Sequence, residues 1–154
     1  MKKTFIRYMC QDELIVHLND IINRFDAWHL PTTHAKEWCG EDSFGAGWCF
    51  FEKGSPSDSV IEHYSGDRYK VTIELTQSET YFRKYIGVGV YYPHGQRETA
   101  TELHIPYIPW WMVTKITICD QLIGTNNTYF LDSDVDWSEM IRNDFAQQLA
   151  GHNK

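Results

Sequence analysis

Residues 69–76 alternate strictly: Tyr69, Val71, Ile73 and Leu75 point one way, and Lys70, Thr72, Glu74 and Thr76 the other. The pattern predicts a strand with one buried face. After Gln77-Ser78-Glu79-Thr80, residues 81–92 read as a second strand, with Phe82, Ile86, Val88, Val90 and Tyr92 on one parity and Tyr81, Tyr85 and Tyr91 on the other. Both faces are then partly apolar, which places this strand in the middle of a sheet. On its Tyr81/Tyr91 face, Gly87 and Gly89 leave bare backbone, so something large is expected to lie across it.

Elsewhere the period changes. Residues 3–9 suit a short first strand, with Phe5 and Arg7 on one side and Ile6 and Tyr8 on the other. From Asp12, the residues Leu14, Ile15, Leu18, Ile21, Ile22 and Phe25 recur every three or four positions, the mark of an amphipathic helix. Asp12 and Glu13 sit where negative charge suits the helix dipole, and His17 lies on the flank of the stripe as a packed or surface residue. Trp28 and the following residues to 43 form a long irregular stretch, the natural place for a functional loop.

Further strands are predicted at 48–52, at 60–64 as an edge, at 98–107, at 112–119 and at 129–131, with His94 at the exposed tip of a Pro93-His94-Gly95 turn. Pro106 and Pro109 break any ladder around Tyr107, Trp110 and Trp111. Asp136 and Glu139 form a capping box, and Trp137, Met140, Ile141, Phe145 and Leu149 make a closing helical stripe that Gly151 terminates. Together these elements predict a single α+β domain, residues 1–154. Its core is a mainly antiparallel sheet of five to seven strands, with an N-terminal and a C-terminal amphipathic helix packed on it.

Composition adds two constraints. Six Trp and nine Tyr exceed what one small interior can absorb, so some rings should reach the surface, where they serve as interface anchors. The net charge of −7 argues against a nucleic-acid backbone as partner and favours a basic protein. Cys10, Cys39, Cys49 and Cys119 form no CxxC pair and read as reduced thiols of a cytoplasmic protein. Arg7 and the polar Gln11-Asp12-Glu13 follow the start too soon for a signal peptide, and no apolar run is long enough to span a membrane.

Catalytic and metal motifs fail on context. His29, His34, Cys39 and Cys49 are spaced too widely for a zinc site. Asp132, Asp134 and Asp136 open like a calcium loop, but Trp137 and Asn143 stand where the loop needs glycine and glutamate. Gly45-Ala46-Gly47 precedes a strand and not a helix, and no G-x-S-x-G is present. The expectation is therefore a non-enzyme that needs no cofactor and no metal.

In size, acidity and lack of chemistry the chain resembles the small cytosolic immunity proteins of bacterial contact-dependent and polymorphic toxin systems. That resemblance implies tight binding to a cognate toxin domain, often a basic nuclease cleft. The predicted contact residues are Asp132, Asp134, Asp136 and Glu139, with Glu37, Glu41 and Asp42, and with Trp110, Trp111 and Tyr107 as a rigid aromatic anchor beside the prolines. The competing reading is a small-ligand-binding or phage-derived accessory protein, its pocket floored by Gly87 and Gly89 and walled by Tyr81, Tyr85 and Tyr91.

Overall fold

A computed structural model describes residues 1–23, 27–29, 50–103 and 107–152. In chain order the described elements are β1 (Lys2–Met9), α1 (Gln11–Asn23), β2 (Ala27–His29), β3 (Phe50–Glu52), α2 (Asp58–Tyr64), β4 (Tyr69–Thr76) and α3 (Glu79–Tyr85). There follow β5 (Ile86–Tyr91), β6 (Glu98–Leu103), β7 (Tyr107–Pro109), β8 (Val113–Asp120), β9 (Thr125–Phe130), α4 (Trp137–Asp144) and α5 (Ala146–His152). The fold is α+β. Seven strands form one sheet in the order β5-β6-β3-β1-β4-β8-β9, antiparallel throughout, while β2 and β7 pair separately.

The 69–76 row does what its alternation requires. Tyr69, Val71, Ile73 and Leu75 are all buried in the main core, between Phe5 and Met9 of β1 and Val113, Ile116 and Ile118 of β8. Leu14, Leu18 and Ile21 of α1, Phe82 of α3, and Ile141 and Phe145 from the C-terminal helices close that face. A smaller cluster of Phe51, Val60, Tyr91 and Ala100 lies on the opposite face. Phe50 and Phe51, adjacent in β3, feed one cluster each, because successive side chains of a strand point oppositely. Burying each of these large apolar side chains contributes about 1.5–3 kcal/mol.

The central strand is β1, not residues 81–92, whose strand portion β5 is an edge. Residues 81–85 are helical. Ser78 caps α3 by accepting from the Tyr81 N–H at 3.1 Å, Glu79 sits in its first turn, and Arg83 reaches back to Glu79 at 2.8 Å. A spacing of four, as between Phe82 and Ile86, satisfies both a strand and a helix, so the cap decides. Residues 60–64 are likewise helix, not edge strand: Ser57 caps α2 through the Val60 N–H, and Val60 seats in the second cluster.

In β8, Val113 shares a face with Ile116 and Ile118 because a bulge opposite Glu74 and Leu75 shifts the parity. Thr114 is the extra residue, and its hydroxyl donates to the Glu74 carboxylate at 2.7 Å. At the C-terminus the stripe is broken at Phe145 (φ −114, ψ 23), Gly151 lies inside α5, and Met140 is exposed. Cys10 is disulfide-bonded, contrary to the expectation of four reduced thiols, and Cys119 is free; Cys39 and Cys49 lie outside the described residues. Among the described residues no helix is long and apolar enough to cross a membrane.

Under α1 lies a buried charge pair. Arg7 Nε of β1 donates to Glu13 Oε1 at 2.5 Å, and His17 Nε2, one turn on, lies 3.5 Å from the same oxygen; all three side chains are buried. Burial pushes the Glu13 carboxyl up, but the His17 hydrogen bond and the Arg7 and His17 charges outweigh it, leaving Glu13 below its ordinary value. Nearby Asp67 moves the other way, raised by burial and by the Glu13 charge.

A depressed carboxyl contributes stability that is complete above the ordinary carboxylate range and is lost as pH falls through its lowered value. Asp67 has the opposite sign, costing stability as pH rises from the ordinary to the raised value. Glu13→Gln should destabilise the fold by about 3 kcal/mol or more, since it removes a buried carboxylate from the side of the buried Arg7 guanidinium. The variant should also lose less stability than wild type as pH drops below about 4. Urea unfolding across the acid range checks both; parallel curves would show that Glu13 carries no such linkage.

Candidate functional site

The end of the sheet where β8 begins and β9 ends gathers most of the expected contact residues. The bulged start of β8 is tied to the end of β9 by the Leu131 N–H, which donates to the Thr114 carbonyl at 3.0 Å. The 3₁₀ turn Trp110–Met112 therefore stands beside the turn that follows β9. In that turn Ser133 Oγ donates to the Phe130 carbonyl at 2.7 Å, and Asp136 then caps α4 by accepting from the Glu139 N–H at 3.0 Å. Asp136 thus starts the helix through its side chain, while the Glu139 carboxylate turns to Arg142.

Asp132, Asp134, Asp136 and Glu139 are all exposed. Residues 131–142 carry these four acids and one base, Arg142, which pairs with Glu139 at 3.4 Å. Trp111 is 73% exposed, and Phe130 (55%) and Val135 (54%) stand open at the same end. Trp110 is not a free anchor. Its ring packs on Trp137, with centroids 5.2 Å apart and planes inclined 51°, and both rings are half-buried against the main core.

That ring pair forms part of the wall of a groove of about 640 Å³, which Ile21, Ile22, Asp136, Glu139 and Arg142 also line. The structure thus brings Trp110, Asp136 and Glu139 together around one depression, with Trp111, Asp132 and Asp134 on the neighbouring surface. Tyr107 is placed by its backbone in β7, paired with His29. Glu37, Glu41 and Asp42 lie outside the described residues, as do His34, Cys39 and Cys49 of the rejected metal set.

Phe130, Val135 and Trp137 were not singled out as contact residues. Phe130 was legible: once Tyr129 faces the core, strand alternation turns its neighbour outward. By its spacing Trp137 belongs to a core stripe, and only the approach of the Trp110 turn makes it a groove wall.

The competing pocket is not formed. Tyr81 and Tyr85 sit on α3 against the main core, their centroids 4.7 Å apart, whereas Tyr91 belongs to the cluster on the other face. Over Gly89 lies the buried Glu102 side chain, since a Cβ at that position would run into its carboxylate.

The carboxyls whose protonation the fold shifts lie away from the groove. Besides Glu13 and Asp67 they are Glu74, held down chiefly by the Thr114 hydroxyl, and Asp120, held down chiefly by a two-pronged hydrogen bond from Arg68 at 2.9 and 3.1 Å. Tyr129, whose phenol burial and Asp144 push up, donates to Asp144 at 2.7 Å and ties β9 to α4. Among the described residues no three histidine, cysteine or carboxylate side chains gather as metal ligands. What the groove offers is apolar area, two indoles and negative charge, the means of binding a cationic surface.

No family profile, curated protein or solved structure matches the chain.

Gly89→Ala should destabilise the protein by about 1–3 kcal/mol, because the buried Glu102 carboxylate has to move to admit a methyl group. Thermal unfolding measures it, and an unchanged midpoint would show that Glu102 is free to swing aside.

Proposed function

We propose that this chain is a non-catalytic binding protein that neutralises a cognate bacterial toxin domain, gripping a basic surface of that domain with the acidic, tryptophan-bearing end of its sheet. The observation that carries the reading is the gathering of four exposed acids, exposed Trp111, and the Trp110–Trp137 groove around the β9–α4 turn. Large rings give contact area at little entropic cost, and a ring of like charge speeds encounter with a partner of opposite sign.

The rings supply the affinity and the acids the rate. Asp132→Lys with Asp134→Lys should slow association with the toxin domain about tenfold at low salt and flatten its salt dependence. Trp111→Ala should weaken binding by about 2 kcal/mol, mainly through faster dissociation. The partner to try is the product of the adjacent reading frame, with rescue of cells expressing it as readout. Kinetics unchanged by the lysines would remove this end of the sheet from the interface.

The proposal places the encounter in the cytoplasm. Disulfides persist where the redox poise is oxidising, so the state of Cys10 tests that placement. Alkylation of protein taken directly from intact cells should label Cys10 if the protein works in the cytoplasm; protection of Cys10 would move it to an oxidising compartment.

A further inference from the structure

The groove beside the acidic turn is built for more than general attraction to positive charge. Among its described lining residues are two carboxylates, Asp136 and Glu139, one base, Arg142, and the Trp110–Trp137 ring pair. Two acids against one base leave it short of one positive charge, and exposed Asp132 and Asp134 on the neighbouring surface add to the deficit. At about 640 Å³ the groove is far larger than a metal ion or a simple ammonium ion needs, and it has room for a long side chain.

The groove already meets one guanidinium. Arg142 Nε stands 3.4 Å from Glu139 Oε2, farther than an ordinary N–H···O hydrogen bond, and the two side chains are 54% and 55% exposed. An exposed pair of this kind contributes about 0–1 kcal/mol, so Glu139 is readily taken over by a better-placed cation. Asp136 has capacity as well: its Oδ1 accepts from the Glu139 N–H at 3.0 Å, and a carboxylate has further acceptor sites.

From this we infer that the groove receives a single arginine side chain of the basic partner, its guanidinium held by the Asp136 and Glu139 carboxylates and its flat face laid on indole, with Arg142 as the intramolecular competitor. Chemistry selects this occupant. A guanidinium is planar, weakly hydrated and able to fork onto carboxylates while stacking on a ring, whereas the ammonium of lysine is a strongly hydrated point charge. An anion would be repelled, and a purely apolar side chain would take water from two carboxylates and give them no partner. An arginine seat presupposes the proposed function in one respect only, that a basic partner approaches this end of the sheet.

The groove can be probed without that partner. The probe is N-acetyl-arginine amide, and its control is N-acetyl-citrulline amide, which has nearly the same shape and no charge. Titrated into the whole protein and followed through the indole N–H resonances, the arginine compound should bind in the millimolar range and at least about tenfold more tightly than the citrulline compound. Arg142→Gln should tighten arginine binding about threefold by removing the competitor. Glu139→Gln should weaken it by a similar factor, as should Asp136→Asn, which keeps a side chain able to cap the helix. Circular dichroism checks the fold of each variant. Equal binding of the two compounds, or an Arg142→Gln variant that binds no more tightly than wild type, overturns the inference. Arginine binding without rescue of toxin-expressing cells would support the seat and count against the proposed function; rescue without arginine binding would overturn the seat and leave that function standing.

Discussion

The structure depends on one row of side chains. Tyr69, Val71, Ile73 and Leu75 occupy every second position of β4, and their burial commits that strand to a single register between β1 and β8. A slip by one residue would carry Lys70, Thr72 and Glu74 into the core and put the apolar row in water. With β4 held, the flanking strands inherit their facing. Phe5 and Met9 of β1, and Ile116 and Ile118 of β8, complete the same layer under α1 and the C-terminal helices. The buried Arg7–Glu13 pair adds little net stability by itself, since desolvation offsets its attraction. What it does is fix where α1 sits on β1, because any other seat would bury Arg7 against apolar neighbours.

The acidic end of the sheet follows from small departures from regularity. One extra residue in β8, Thr114, bends the strand where the chain emerges from the Trp110 turn, and its carbonyl receives Leu131 as β9 ends. The chain then has to turn back to place Ile141 and Phe145 in the core, and the acids occupy that turn. Two unrelated requirements, a helix cap and an outward loop, thus put negative charge next to a pair of tryptophans. The Trp110–Trp137 contact joins segments far apart in sequence, so the groove exists only once the sheet and α4 are both in place.

The opposite edge shows how a carboxylate can fill the space left by missing side chains. Gly87 and Gly89 leave the β5 backbone bare on the face shared with Tyr91, and the buried Glu102 lies over Gly89. Residues 81–92 read as central because both parities carry apolar residues. The Ser78 cap instead sets about two turns of helix, Glu79–Tyr85, before the strand begins.

Local pattern alone determined the alternating row of 69–76, the stripe of α1, the Asp136 capping box, the α+β class, and the surplus of rings and acids. All are properties of residues within a few positions of each other, and period and capping read them directly. Tertiary structure decided that β1 lies at the centre, that a four-residue spacing at Phe82 and Ile86 is resolved as helix then strand, that Glu102 lies over Gly89, and that Trp110 packs on Trp137 while Trp111 faces water. The reason is that periodicity records which way a side chain points but carries no information about what stands opposite it, and that second fact is settled only when distant segments compete for the same buried surface.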